Sequence, residues 1–117
     1  MYNFSLLKNE KVIDVFDDIW VSQNENEKMT TVALTNQRLL FLDYNNNDPR
    51  DNLRIGRGME YIRYKEVYHS IMLQDIKDVT DVYILNLKKG CDIKIDNKEL
   101  CNLIKKEIKN VANDNAS

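Results

Sequence analysis

Two apolar runs separated by a short polar segment form the clearest pattern in this chain. Residues 29–34 and 39–44 are rich in β-branched, aromatic and aliphatic side chains, and the polar segment Thr-Asn-Gln-Arg occupies positions 35–38 between them. This arrangement predicts a β-hairpin with its turn at the polar segment. Because the second run is apolar at consecutive positions, both of its faces are predicted to be buried, and it should be a central strand.

The alternation of apolar and polar positions predicts further strands on both sides of this hairpin. Residues 12–22 predict a long first strand with Asp side chains as solvated charge, and residues 23–27, which are polar and acidic, predict a loop. In that strand, one face is expected to carry Ile13, Val15, Ile19 and Val21 and the other Phe16 and Trp20.

After the hairpin, residues 59–73 predict one long strand or a broken pair of strands. Residues 75–79, 82–88 and 91–95 predict three short strands, the last two joined as a hairpin across Lys88, Lys89 and Gly90. The total is about seven antiparallel strands. At the other end of the chain, residues 1–11 predict either a short helix or a lid over the core.

The last third of the chain contains the one convincing helical pattern, over residues 97–111. Asp96 is predicted to cap its first turn with Glu99 reaching back, and Lys105, Lys106 and Lys109 are expected in its last turns. The apolar positions recur at three- and four-residue spacing, which indicates an amphipathic helix. We therefore predict a single domain over residues 1–112, followed by a disordered tail of residues 113–117.

Composition and charge exclude several kinds of function. Among 117 residues, 17 Lys and Arg stand against 19 Asp and Glu, and this balance provides no global positive field for nucleic acid. No secretion signal or long apolar segment is evident in the sequence, which predicts a cytoplasmic protein. Cys91 and Cys101 are expected to be reduced thiols, and His69 a histidine packed in the sheet. No phosphate loop, zinc motif or nucleophile elbow is present, so we predict no enzyme activity, cofactor or metal.

Several segments of the sequence resemble the pleckstrin-homology-like superfamily, in particular its bacterial pleckstrin-homology and GRAM-type members. The resemblance is carried by Asn-Glu-Lys-Val-Ile at 9–13, Leu-Thr-Asn-Gln-Arg-Leu-Leu-Phe at 34–41, Ile-Met-Leu-Gln-Asp-Ile at 71–76 and Asn-Lys-Glu-Leu at 97–100. It implies a mainly β fold, a barrel of about seven antiparallel strands capped by a C-terminal amphipathic helix. It also implies a module that binds lipids, peptides or proteins and is rarely a catalyst.

Lipid-binding members of that superfamily usually carry Lys and Arg between the first two strands, where these residues clamp phosphates. Here residues 23–27 contain two glutamates, which would repel phosphate, and Arg38 is expected to brace the sheet with its stem while its head stays in water. An alternative site for an anion or a membrane surface is the long irregular segment 45–58, with Arg50, Arg54 and Arg57. Neighbouring carboxylates cancel much of that charge.

The predicted function is therefore a non-catalytic interaction module that contacts a protein partner or a second copy of itself. Its candidate interface is the run Tyr61, Ile62, Arg63 and Tyr64 near a sheet edge. The alternative is peripheral binding to an anionic membrane through segment 45–58, as a weak surface contact.

Overall fold

The computed structural model of the chain describes residues 2–44 and 65–116. In chain order its elements are β1 (Tyr2–Asn3), β2 (Val12–Gln23), β3 (Asn26–Thr35), β4 (Arg38–Tyr44), β5 (Lys65–Met72), β6 (Ile76–Val79), β7 (Ile84–Leu87), β8 (Ile93–Ile95) and α1 (Lys98–Ala116). A 3-10 turn, Leu73–Asp75, joins β5 to β6. The predicted set of about seven antiparallel strands followed by one helix is confirmed.

The strands form one sheet in the order β1-β5-β4-β3-β2-β8-β7-β6. All neighbouring strands are antiparallel except β1, which pairs in parallel with the first two residues of β5. Within the described residues the sheet does not close on itself, because its end strands, β6 and the β1–β5 pair, are not hydrogen-bonded to each other. Of the two alternatives predicted for residues 1–11, the helix is wrong, because within residues 2–11 β1 is followed by an irregular segment. Phe4 in that segment packs against buried apolar side chains, which agrees with the lid alternative.

The β3–β4 hairpin lies at the centre of the sheet and buries both of its faces. One face of β4 contributes Leu39 and Phe41 to the main core, and the other contributes Leu40 and Leu42 to a second, smaller cluster. The smaller cluster is covered by Phe4 and neighbouring side chains from β2 and β5. The prediction of a central strand with two apolar faces is thus confirmed.

Residues 23–27 are not the loop that their polarity predicts. Gln23 pairs with Asn26 and Ser22 with Glu27, so that β2 and β3 are joined by a tight turn of two residues, Asn24 and Glu25. Their φ angles of 52° and 67° match the left-handed conformation of a type I′ turn, which fits the twist of the flanking strands. Polar residues can continue the β2–β3 pairing here because the backbone hydrogen bonds that hold the strands together do not need apolar side chains at the exposed end of a hairpin.

A bulge in β2 changes which side chains face the core. The pairing with β3 shifts between Phe16 and Ile19, and Asp18 has a φ of 58°. As a result Phe16, Ile19 and Val21 all contact the main core, whereas Val15 contacts the smaller cluster. The predicted division of β2 into two strictly alternating faces is therefore wrong, because one extra residue reverses the alternation at the bulge.

Helix α1 is longer than the sequence pattern predicts and has a different cap. Its first turn is capped by Asn97, whose Oδ1 accepts a hydrogen bond from the backbone N–H of Leu100 at 2.8 Å. Asp96, the predicted cap, instead donates its backbone N–H to the carbonyl of Trp20 at 2.9 Å. Because the helix runs to Ala116, its three central lysines are not in its last turn. The boundary between a domain of residues 1–112 and a tail of residues 113–117 stays a prediction.

The helix closes the main core from one side of the sheet. Leu100, Cys101 and Ile104 are buried in the same cluster as Leu34 and Ile95. No helix in the described part of the chain has the length and apolar character needed to span a membrane.

Candidate functional site

The turn between β3 and β4 fastens the segment that precedes β2. Asn36 Oδ1 accepts the backbone N–H of Lys11 at 2.7 Å, and Asn36 Nδ2 donates to the carbonyl of Asn9 at 3.2 Å. The next residue, Gln37, donates from Nε2 to the carbonyl of Lys8 at 2.8 Å. The polar turn residues are therefore used twice, once to reverse the hairpin and once to hold residues 8–11 against it.

Glu10 lies at the centre of this contact and is almost fully buried, with 5% of its surface exposed. Its Oε2 accepts hydrogen bonds from Thr35 Oγ1 at 2.6 Å and Arg38 Nε at 2.8 Å. Its Oε1 accepts from Arg38 Nη2 at 3.0 Å and from the backbone N–H of Leu7 at 2.8 Å. We refer to Glu10, Thr35 and Arg38 as the Glu10 latch.

Each oxygen of the Glu10 carboxylate accepts two hydrogen bonds, and these bonds determine its ionisation state. Burial alone would raise the pKa of Glu10, but the hydrogen bonds from Arg38, Thr35 and Leu7 and the charge of Arg38 outweigh it, so the pKa is lowered from the ordinary value of 4.5. A carboxylate held ionised by four donors has no lone pair directed at a substrate. The latch is thus a structural element, and the prediction that the Arg38 head stays in water is wrong, because the guanidinium binds Glu10 and the carbonyl of Ser5.

Two adjoining cavities lie beside β5, at the end of the sheet where the β2–β3 and β7–β8 turns meet. The first, about 330 Å³, is lined by Val21, Gln23, Asn26, Lys28, Phe41, Tyr68, His69 and Ile93. The second, about 520 Å³, is lined by Gln23, His69, Ser70, Ile71, Met72, Asp75, Leu87, Lys88, Lys89, Gly90 and Cys91. Because Gln23 and His69 line both, we treat the two cavities as one depression and call it the edge groove.

Aromatic rings form the floor of the first cavity. The Phe41 ring stacks on the His69 ring with centroids 5.6 Å apart, and the Tyr68 ring lies 6.5 Å from Phe41. Lys28 Nζ stands 4.3 Å from the centroid of Tyr68 and 2.7 Å from Asp43 Oδ2, so that its charge is already paired. This part of the groove suits an apolar or aromatic group better than an anion.

One wall of the second cavity is the outer edge of β5. The backbone N–H of Leu73 donates to the carbonyl of Gln37 at 2.9 Å, and β5 continues from there in antiparallel register with β4. Since hydrogen-bonded pairs alternate along such a ladder, Ile71 bonds to β4 and the backbone groups of Ser70 and Met72 point away from it. Among the described residues only β1 pairs with this edge, and it reaches no further than Glu66.

The opposite wall is the turn between β7 and β8. It presents Lys88 and Lys89, both exposed, and Gly90 with a φ of 86°. Within the described residues neither lysine takes part in an ion pair, and the groove wall contains one carboxylate, Asp75. The groove is therefore locally positive on a chain whose net charge is −2.

The two cysteines differ in solvent exposure, and this difference allows a chemical test of where the structure places them. Cys91 is exposed in the groove, whereas Cys101 is 1% exposed in the core. Burial raises the pKa of the Cys101 thiol to about 11. We expect a thiol reagent at pH 8 to modify Cys91 rapidly and Cys101 only on unfolding, because the thiolate is the reactive form. Titration with Ellman's reagent, with and without denaturant, measures this; rapid modification of both thiols in the native protein would contradict the placement of Cys101.

The candidate binding residues predicted from the sequence lie outside the described residues. Arg50, Arg54 and Arg57 belong to the segment 45–64, as do Tyr61, Ile62, Arg63 and Tyr64. Both assignments stay predictions. The described residues contain no group of three His, Cys, Asp or Glu side chains placed to hold a metal ion, and His69 lies in β5 as expected.

The sequence reasoning missed both the latch and the groove. Glu10 stands in one of the segments that carry the family resemblance, but its burial depends on Arg38, 28 positions away. The groove is formed by β5 and the β7–β8 turn, which are distant in the chain. No local pattern identifies either of them.

Comparison with known proteins supports the fold. No protein family model matches the chain, and no curated protein matches its sequence. Among solved structures, the Vps36 N-terminal PH domain superimposes with a TM-score of 0.64 at 14% identity, over 93% of this chain and 86% of that one. This chain has a pleckstrin-homology-like fold. At such low identity the likeness concerns the fold alone, and the role of the PH-like domain must be argued from its own surface.

Proposed function

We propose that this PH-like domain is a non-catalytic module that binds an extended segment of a partner protein, or of a second copy of itself, by strand addition to β5. PH-like domains are in general modules that bind proteins or lipids, which supports the broader assignment. The observation that carries the proposal is the outward-facing backbone of Ser70 and Met72, beside a cavity of about 520 Å³. An unpaired strand edge is a template for such addition.

The geometry of an added strand fits the two cavities. A strand next to β5 would alternate its side chains between the two faces of the sheet, and those on the inner face would enter the edge groove. The stacked rings of Phe41 and His69 would receive an apolar side chain there. Backbone hydrogen bonds would supply affinity, and the cavity would supply selectivity.

Substitution of Ser70 tests the proposal with a matched control. Ser70→Pro removes the outward N–H without removing a hydrogen bond to β4, a position where edge strands tolerate proline, whereas Ser70→Ala keeps the N–H. We expect partners that copurify from the native cell to be retained by S70A and lost by S70P. If the partner is a second copy, light scattering should show an oligomer for S70A and a monomer for S70P. Equal binding by a folded S70P variant would contradict the proposal.

A further inference from the structure

We infer that the segment bound at the edge groove is acidic, with at least one apolar side chain among its carboxylates. This inference rests on the proposed function and adds the chemical class of the partner to it. The occupant it commits to is an extended acidic segment of another protein. The grounds are the charge of the groove and the division of its walls into an apolar and a basic part.

The basic part lies opposite the open edge of β5. Lys88 and Lys89 project from a turn whose position is fixed, since the backbone N–H of Lys88 donates to the carbonyl of Asp75 at 2.9 Å and Leu87 donates to Asp92 Oδ1 at 3.1 Å. Asp92 accepts that bond within the turn and keeps its negative charge, but it does not line the groove, where Asp75 is the one carboxylate among the described residues. The wall opposite β5 thus carries two ammonium groups, neither in an ion pair within the described residues, against one carboxylate.

The apolar part begins where the basic part ends, at His69 and Gln23. The charge of Lys28 in this first cavity is matched by Asp43, whose carboxylate lies 2.7 Å from the ammonium group. A bound carboxylate would thus find no free cation there, while an apolar side chain would contact Val21 and Tyr68, beside the buried Phe41 and Ile93. The two cavities together select a segment whose inward-facing residues are acidic at the end beside Lys88 and Lys89 and apolar at the end beside His69.

Electrostatic attraction of this kind changes affinity in a measurable way. If each of the two lysines pairs with a carboxylate of the bound segment, replacing both lysines with glutamate turns two attractions into repulsions and should lower the affinity about tenfold. The attraction is also screened by salt, since the Debye length falls to about 8 Å at physiological ionic strength. Neither effect is expected for an interface that depends on backbone hydrogen bonds and apolar contacts alone.

Selection from a random octapeptide library displayed on phage tests the inference with the intact chain. We expect enriched peptides that carry acidic residues toward one end and an apolar residue toward the other, and binding that weakens as salt is raised. The double variant K88E/K89E should bind them about tenfold more weakly. The variant K106E/K109E makes the same change of charge on exposed positions of α1 and should bind them like the unmodified protein.

The outcomes separate the inference from the proposed function. Peptides without acidic bias, or with equal affinity for K88E/K89E, overturn the inference, and if S70P still abolishes their binding the proposed function stands. Failure to enrich any peptide, or binding that S70P leaves unchanged, overturns both. Binding to phosphatidylserine vesicles that K88E/K89E abolishes, without any acidic peptide selected, also overturns the inference and assigns the lysines to a lipid surface.

Discussion

Replacing Arg38 with methionine is expected to lower the free energy of unfolding by about 3 kcal/mol or more, because it leaves the Glu10 carboxylate buried without its cation. The guanidinium supplies two of the four hydrogen bonds to Glu10, at 2.8 and 3.0 Å, and its own side chain is 16% exposed. Methionine keeps much of the apolar stem and removes the charge. Urea unfolding at pH 7 measures the effect.

A second ion pair of the same sheet provides the control. Lys28 and Asp43 lie 2.7 Å apart, closer than Arg38 and Glu10 at 2.8 Å, but their side chains are 49% and 32% exposed. Solvent screens such a pair, so Lys28→Met should change the free energy of unfolding by about 1 kcal/mol or less. If the two methionine variants were destabilised equally, burial would not be what makes the latch important.

Lowering the pH should narrow the difference in free energy of unfolding between the unmodified protein and the Arg38→Met variant, as urea unfolding at several pH values would measure. The folded-state pKa of Glu10 is lowered, so its ionisation contributes stability above the ordinary pKa of 4.5, and this contribution is lost as pH falls through the folded-state value. In the variant, burial opposes ionisation of Glu10 with fewer hydrogen-bond donors to offset it.

The free energies of unfolding of E10Q, R38M and the double variant should show a coupling energy of about 1–3 kcal/mol at pH 7. Additive losses would mean that Glu10 and Arg38 stabilise the fold independently.

The central hairpin could be predicted from the sequence because its information is local. Residues 29–44 form two apolar runs on either side of a polar turn, as a single hairpin requires, and the observed β3 and β4 contain these runs. The bulge at Asp18 was not predictable in this way, since alternation continues through it in the sequence while the backbone gains one residue. Local patterns thus give the strands but not the face that each side chain takes beyond an irregularity.

Other features could not be predicted because they depend on contacts between residues that are far apart in the chain. Asp96 is a good capping residue, but its backbone N–H bonds to the carbonyl of Trp20 and so extends the contact of β8 with β2 by one residue, and Asn97 caps the helix. Glu10 sits in a polar segment, where a carboxylate is expected to be solvated, because Glu is rarely buried unless it is paired. Its partner lies in the β3–β4 turn. The edge groove likewise exists only once β5 and the β7–β8 turn are brought together.

Phe41 belongs both to the main core and to the lining of the edge groove. Phe41 is 1% exposed, belongs to the main core and forms the floor of the first cavity against His69. Phe41→Ala should reduce the free energy of unfolding by about 3–5 kcal/mol, since it removes buried ring contacts and leaves a void. Phe16→Ala is the control, because Phe16 contacts the same core while partly exposed, and it should lose about 1–2 kcal/mol.

Phe41→Leu then separates the two contributions of that ring. Leucine keeps the site apolar and should leave the domain folded with a smaller loss of stability, as thermal unfolding would record. It removes the aromatic surface under His69, so peptides selected on the unmodified protein should bind more weakly if their apolar side chain enters the first cavity. Unchanged affinity in a folded F41L variant would place that side chain elsewhere along β5. The Phe41 ring would then serve the core alone, and the edge groove would recognise its partner through the β5 backbone and the two lysines.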